Sequence, residues 1–293
     1  MAESIMKKTI LLTGGSGYVG SNLSRFLSNS YTLYAPSHQE LDLLDGKSVD
    51  WYFHSHRIDV VIHAAVVGGS RSEEYVSDSV VRNLRIFFNI VRNRKRFKKM
   101  IHFGSGAEYD KSVSLRSVSE REFDRRIPSD DYGFFKYVSA KYIEASNFPI
   151  VNLRIFGLFG PGEDYRLRFV SNMICRKVLG VPLEIHQDAY FDYVYIKDFA
   201  RIVDYFIRHD PKFKSYNVGS GRRMRLSSIA RKIYALPGAR TRITIAKKGF
   251  YREYTCDNAK IVRELGTFRF TDFDTALREL FDWYAQRKSA IKL

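Results

Sequence analysis

Lys8-Thr9-Ile10-Leu11-Leu12-Thr13-Gly14-Gly15-Ser16-Gly17-Tyr18-Val19-Gly20 is the stretch on which the reading of this chain turns. Its first six residues form a short apolar run of the kind that makes a strand buried on both faces. Gly15, Gly17 and Gly20 then give G-x-G-x-x-G, and Ser21 to Ser28 continues with Leu23, Phe26 and Leu27 at helical spacing. Glycines in such a strand-to-helix turn permit a tight bend and a close backbone approach to a pyrophosphate. The helix that follows offers unpaired N–H groups and the positive end of its dipole. A strand before the glycines and a helix after them predict dinucleotide binding at Gly14, Gly15, Ser16, Gly17, Tyr18, Val19 and Gly20.

Working outward, strands are expected at Tyr31–Ala35, Glu40–Leu44, Asp59–Ala65, Lys99–Phe103 and Pro149–Ile155, with helices at Val49–His56, 78–97 and 132–146. Strands alternating with helices predict an α/β fold, a Rossmann-like doubly wound parallel sheet covered on both faces. Ligands bind such sheets beyond the carboxyl ends of the strands. The segments 13–20, 63–69, 104–109 and 156–162 all fall there. After Gly162 the pattern loosens, with helices at 166–179, 197–208, 226–235 and 272–286 and strand-like runs at 183–186 and 242–246. We read residues 1–162 as the dinucleotide-binding domain, with 187–221 returning to it. Segments 163–186 and 222–293 form a smaller, interleaved C-terminal substrate lobe.

The 293 residues are 45% hydrophobic and 27% charged, ordinary for a globular chain with a sizeable core. No apolar stretch approaches the roughly 18 residues of a membrane span. No secretory signal is read at the start, and Cys175 and Cys256 make no disulfide framework, so a reducing cytoplasm is expected. The seven histidines lack zinc-ligand spacing, and no metal is assigned. The net charge of +16 has three possible sources: nucleic-acid binding, a phosphorylated ligand, or solvated basic surface. The run Arg92-Asn93-Arg94-Lys95-Arg96-Phe97-Lys98-Lys99 is read as the cationic end of a helix, where it opposes the negative end of the dipole, rather than as a nucleic-acid patch.

Tyr132 and Lys136 lie at i and i+4, on one helical face. A free tyrosine, with a pKa of about 10, is a poor base near neutrality, and a neighbouring cation favours its phenolate. Tyr132 is then suited to exchange a proton with a sugar hydroxyl while a hydride leaves or joins the same carbon. Ser105, at the mouth of another strand, is placed to orient that oxygen, and Lys136 to hold the nicotinamide ribose as well. Tyr34-Ala35-Pro36-Ser37-His38 ends the second strand without the acid that holds a ribose 2′-hydroxyl. That leaves room for a 2′-phosphate against Ser37 or His38, so NADP(H) is favoured over NAD(H).

Together these residues resemble the extended short-chain dehydrogenase/reductase family, its nucleotide-sugar epimerases, dehydratases and reductases. Thr13–Gly20 resembles TGGxGxxG, and Gly104-Ser105-Gly106-Ala107-Glu108-Tyr109 the serine segment. Tyr132 with Lys136 matches YxxxK, and Leu153–Gly162 resembles LRxxNxYGPG. Tyr193–Asp198 resembles FIYVDD, and Asn217–Gly221 matches NVGSG. The resemblance implies cofactor contacts at Asp42, Leu43, Ala64, Ala65, Val66, Asn83 and Phe156, and substrate contacts at Gly68, Ser105, Gly106 and Ala107. Dehydratases of the family carry an Asp-Glu pair where Gly106 and Ala107 stand, which argues against 4,6-dehydration. Val66-Val67-Gly68-Gly69-Ser70 and Glu40–Asp45 resemble GDP-fucose synthase-like reductases, but the cysteine acid/base of those enzymes falls at Ala107. Gly157 replaces the family asparagine and Phe191 a family arginine. For a nucleotide diphosphate the candidate cations of the expected lobe are Arg166, Arg168, Arg222, Arg223, Arg225, Lys247 and Arg252, of which Arg166, Arg168, Arg225 and Arg252 are taken as substrate contacts, Arg225 first. The function expected is NADPH-dependent reduction of a 4-keto-hexose nucleotide. The alternatives are a 4-epimerase holding NAD tightly and a non-catalytic nucleic-acid-binding or regulatory protein on the same scaffold. The family habit implies a homodimer through 78–97 and 132–146.

Overall fold

The computed structural model describes residues 7–68 and 78–293; Met1–Met6, and Gly69 and Ser70 of the resemblance just given, lie outside them. Two compact units result: Met1–Asp110 with Arg126–Arg154 and Ala200–Tyr216, and Lys111–Arg125 with Ile155–Phe199 and Asn217–Leu293.

In the first unit, β1 (Thr9–Thr13), β2 (Thr32–Tyr34), β3 (Val60–His63), β4 (Lys99–Ser105) and, after β5 (Leu115–Val118) of the second unit, β6 (Ile150–Ile155) alternate with α1 (Tyr18–Leu27), α2 (Gly46–Ser55), α3 (Ser79–Val91) and α4 (Asp131–Ala145). With Ser215–Val218 as the outermost strand, the six-stranded order is Ser215–Val218, β6, β4, β3, β1, β2. The β2–β1, β1–β3 and β3–β4 pairings are parallel. The doubly wound sheet read from the sequence is therefore present. Every residue of β3 and β4 is buried, the polar Lys99, His102 and Ser105 of β4 and His63 of β3 included, which explains why apolar residues stand at successive positions of both.

Register fixes which side chains share a face. Leu11 pairs with Val61 and Val61 with Met100. All three belong to one core cluster with Val49 and Phe53 of α2, Ile86, Phe87 and Ile90 of α3, and Ile143 of α4. Two residues further along each strand, on the same face, comes the polar row Thr13, His63 and His102. The helix starts are locally specified. The Asp45 carboxylate accepts from the Lys47 and Ser48 N–H groups to open α2, and Asp130 accepts from Gly133 N–H to open α4.

Glu40–Leu44, expected as a strand, is a turn. Asp42 Oδ1 accepts from Leu44 N–H at 2.9 Å, and Asn89 Nδ2 donates to the Leu43 and Leu44 carbonyls. Local side chains thus take the backbone partners a ladder would need, while Leu41 is still buried. The basic run also departs from its reading, since α3 ends at Val91 and several of the run's cations pair inside the unit. Arg92 pairs with Asp50 and Lys98 with Asp59, and Lys99 reaches the Phe206 and His209 carbonyls and Asp210.

The second unit continues with β7 (Leu158–Phe159), α5 (Phe169–Leu179), β8 (Leu183–Asp188), β9 (Tyr190–Phe191), β10 (Val194–Tyr195), α6 (Ile196–Arg208, shared with the first unit), β11 (the Ser215–Val218 strand), β12 (Met224–Arg225), α7 (Leu226–Tyr234), β13 (Ile243–Phe250), β14 (Tyr254–Cys256), α8 (Ala259–Leu265) and α9 (Phe273–Ala285). Its strands form small sheets ordered β12-β9-β14-β5, β10-β7 and β13-β8. Asp192, just before the Tyr193–Asp198 segment, ties that segment to NVGSG: it accepts from Ser220 N–H, Ser220 Oγ and Gly221 N–H.

Candidate functional site

The glycine turn is shaped as a cradle. Gly14 has φ +73°, and a Cβ there would lie 2.7 Å from the Ala65 nitrogen; a Cβ on Gly20 would lie 2.0 Å from the Gly14 carbonyl oxygen. Gly17 caps α1 without a side-chain hydrogen bond, and the first turn carries no acid. The leading N–H groups of α1 and its positive dipole end are thus not engaged by a capping side chain, which suits a pyrophosphate. These residues fit a dinucleotide.

At the end of β2 the structure adds a group absent from the sequence reading. The Glu40 carboxylate turns back and accepts from Ser37 N–H at 2.7 Å. This bond holds the Glu40 carboxyl below its usual range. His38 Nε2 lies 3.9 Å from Asp42 Oδ1, both exposed. Leu43 is partly buried against the core. The strand end therefore presents a carboxylate beside Ser37 and His38.

After β3, Ala64, Ala65, Val66 and Gly68 follow the polar row. Thr13 Oγ1 bonds His63 Nδ1 at 2.8 Å and accepts from Ala65 N–H at 3.4 Å. Buried Asn83, on α3, accepts from Val67 N–H at 2.9 Å and donates to the Val67 and Ser79 carbonyls at 2.8 Å. It pins the loop that carries Val66 and Gly68. Burial and the nearby Lys136 cation push the His63 ring down to about 3 and His102 well below the usual histidine value, so both are neutral.

Ser105, Tyr132 and Lys136, the trio expected to carry the chemistry, all lie in the first unit. Ser105 ends β4; its Oγ accepts from Ala107 N–H at 3.1 Å, capping the turn Gly106–Tyr109. Tyr132 stands in the first turn of α4, half-buried, with its ring edge-on to Phe135 at 5.4 Å. One turn on, the buried Lys136 Nζ donates to the Phe103 carbonyl at 2.5 Å and lies 5.9 Å from the Tyr132 ring centre. Burial pulls the Lys136 ammonium down to about 8, against the opposing pull of Glu108. Lys136 thus stays mostly charged at neutrality yet gives up its proton within reach of it.

The remaining candidates belong to the second unit. Phe156 is buried, with its N–H on the Val218 carbonyl and its ring 5.0 Å from Tyr254. Arg166 is exposed, with Nε 3.4 Å from Asp164 Oδ1; Arg168 is exposed at the start of α5; Arg252 lies over Tyr251. Arg225 is engaged from both sides: Nε and Nη2 donate to Asp188 Oδ2, and the guanidinium covers the Phe250 ring at 4.9 Å. Arg223, one of the lobe's candidate cations, forms a bidentate pair with Glu253 and sits 3.5 Å over Tyr190, which stacks on Phe250. Among the described residues no helix is long and apolar enough to cross a membrane, and no group of three or more His, Cys, Asp or Glu side chains is placed to hold a metal.

Comparison with known proteins agrees with the fold. GDP-L-colitose synthase of Yersinia pseudotuberculosis is 25% identical over 96% of this chain and 99% of its own. A probable dTDP-glucose 4,6-dehydratase of Sinorhizobium fredii is 27% identical over 94% and 93%. The fold superposes with a TM-score of 0.82 on GDP-mannoheptose C4 reductase from Campylobacter jejuni with NADP bound, at 19% identity over 95% of this chain and 98% of that one. The sequence profile of the NAD dependent epimerase/dehydratase family matches residues 10–219, and the chain belongs to that family.

Proposed function

We propose that this protein is an NADPH-dependent reductase of a nucleotide-linked 4-keto-hexose. The observation that carries the reading is the buried Lys136 ammonium, one helical turn from Tyr132 and bonded to the strand that ends in Ser105. When bound along Gly14–Gly20, NADPH supplies the hydride that reduces the sugar C4. Tyr132 gives its phenolic proton to the C4 oxygen, Lys136 favours the phenolate left behind, and Ser105 orients that oxygen. Gly106 and Ala107 offer no acid or base next to Ser105, which supports reduction over 4,6-dehydration. The names of two relatives, a GDP-colitose synthase and a GDP-heptose C4 reductase solved with NADP, support the same class of substrate and cofactor. His38 stands next to the proposed 2′-phosphate, and Glu40 limits how strongly NADP(H) is preferred. Arg166, Arg168, Arg225 and Arg252 remain the proposed cations for the diphosphate, with Arg225 held rigid by Asp188. The exposed Val81 and Phe88 of α3 and Phe134 of α4 are the proposed seam of a homodimer.

The test is NADPH oxidation with a panel of GDP-, dTDP- and UDP-linked 4-keto sugars. Tyr132→Phe should lower turnover by about 10²- to 10⁴-fold while NADPH affinity is retained. A purified protein that holds NAD through gel filtration and interconverts C4 epimers without net cofactor use would be an epimerase instead. Salt-sensitive RNA binding with Tyr132→Phe fully functional would overturn the enzymatic reading.

A further inference from the structure

The serine segment contains a carboxylate to which the reaction above gives no task. Glu108 is completely buried. Its Oε1 accepts from Ser105 N–H at 3.0 Å, Asn152 Nδ2 donates to both oxygens at 3.2 and 3.0 Å, and Arg154 Nε donates to Oε2 at 2.5 Å. Its position is fixed by packing too: a Cβ on Gly104 would lie 2.2 Å from both Glu108 Oε1 and Asn152 Oδ1. Two buried cations, Arg154 and Lys136, share this carboxylate's field. Arg154 has a second anionic partner in Glu144 at 3.3 Å. The groups facing Lys136 are the neutral His63 of β3 and His102 of β4, the Tyr132 ring of its own helix, and Glu108. Glu108 is the one anion of that set.

We propose that Glu108 is a positioning residue for the reaction proposed above, clamping the Ser105 backbone through its N–H and supplying the counter-charge that keeps Lys136 an ammonium. The inference rests on that reading for its purpose and on the Glu108 contacts for its substance.

The experiment labels the lysine Cε carbons with ¹³C and follows their shifts with pH, the Lys136 signal being the one lost in Lys136→Met. In the native protein that signal should titrate at about 8, apart from the surface lysines. In Glu108→Gln the acceptor for Ser105 N–H is kept and the charge is lost, so the Lys136 midpoint should fall by roughly one unit or more. The alkaline limb of NADPH-dependent turnover should move with it. Glu108→Asp keeps the charge but draws it away from Ser105, so the midpoint should hold while kcat falls. A merely structural Glu108 would lower stability in both variants without moving the midpoint. An unchanged midpoint in folded Glu108→Gln overturns the proposal. If that variant does not fold, with Arg154 left short of a partner, a native kcat in Glu108→Asp overturns it instead. A midpoint that moves while Tyr132→Phe stays fully active separates the two claims: Glu108 acts on Lys136, and the assigned reaction is wrong.

Discussion

Gly20→Ala sets two opposed effects against each other. Within a helix, alanine is favoured over glycine by about 1 kcal/mol, and Gly20 lies inside α1. Its Cβ, however, would stand 2.0 Å from the Gly14 oxygen and 2.8 Å from the Gly14 carbonyl carbon and Gly15 Cα, all backbone atoms of the cradle. Relief requires a shift of the loop by more than an ångström, and overpacking of this kind costs roughly 1–3 kcal/mol. The net loss should be about 0–2 kcal/mol, or up to roughly 8 °C in Tm for a chain of this size. The displaced loop should also raise the Kd for NADPH by at least about tenfold, equivalent to about 1.4 kcal/mol. Gly17→Ala is the control, because its Cβ would meet nothing closer than the Gly14 oxygen at 3.4 Å and its φ of −71° suits any residue. That variant should keep the native Tm without cofactor and weaken binding only where the cofactor approaches its backbone. Thermal melts without ligand and calorimetric titration with NADPH read both quantities. A Gly20→Ala protein with native or higher Tm and native NADPH affinity would refute the cradle argument.

Three further outcomes follow from charge placement. Burial lowers Lys136 from 10.5 to about 8, so the unfolded chain binds the extra proton between those values and stability should rise as pH climbs from 8 towards 10.5; Lys136→Met should abolish that part of the slope in pH-dependent urea melts, while turnover of the native enzyme falls as the ammonium is lost above about pH 8. Glu163 behaves in the opposite sense: burial raises it from 4.5 to about 8, the folded state holds the proton longer, and stability should fall as pH rises through that window. Glu163→Gln should therefore melt higher than the native protein at pH 8.5 and nearly alike at pH 4. Glu40→Gln removes the carboxylate beside Ser37 and His38 and should raise the NADPH-to-NADH preference in Kd measurements, an effect that shrinks with salt; an unchanged ratio would move the 2′-phosphate site elsewhere.

What the sequence disclosed and what it hid divide along a physical line. The first strand, the glycine turn, β3, β4 and the Tyr132–Lys136 helix were legible because strands buried on both faces place apolar residues at successive positions, as in Ile10–Leu12, Val60–Ile62 and Met100–Ile101, and a helix repeats every turn. Segment 40–44 misled because Leu41 is buried and Leu43 and Leu44 pack partly buried against the same core, while Asp42, Asp45 and Asn89 do the hydrogen bonding of a turn. The short strands β5, β7, β9, β10, β12 and β14, of two to four residues, have no room to display a period. The basic run looked like helix-end charge because its anions lie elsewhere, Asp50 and Asp59 about forty residues before it and Asp210 more than a hundred after.

Glu108 shows why the site itself was only half visible. In sequence it is one acid in a glycine-serine segment; its meaning comes from Asn152 and Arg154, on a strand more than forty residues away. Tyr132 and Lys136, by contrast, meet through helical spacing alone. Burial by itself pulls the Lys136 ammonium down, and a neutral lysine would no longer favour the Tyr132 phenolate. The sheet answers this by bringing β6 alongside β4, where Arg154 and Asn152 make a buried carboxylate tolerable and that carboxylate in turn sustains the lysine. The chemistry proposed for α4 therefore depends on which strand neighbours β4, and strand order is the property that local pattern encodes least.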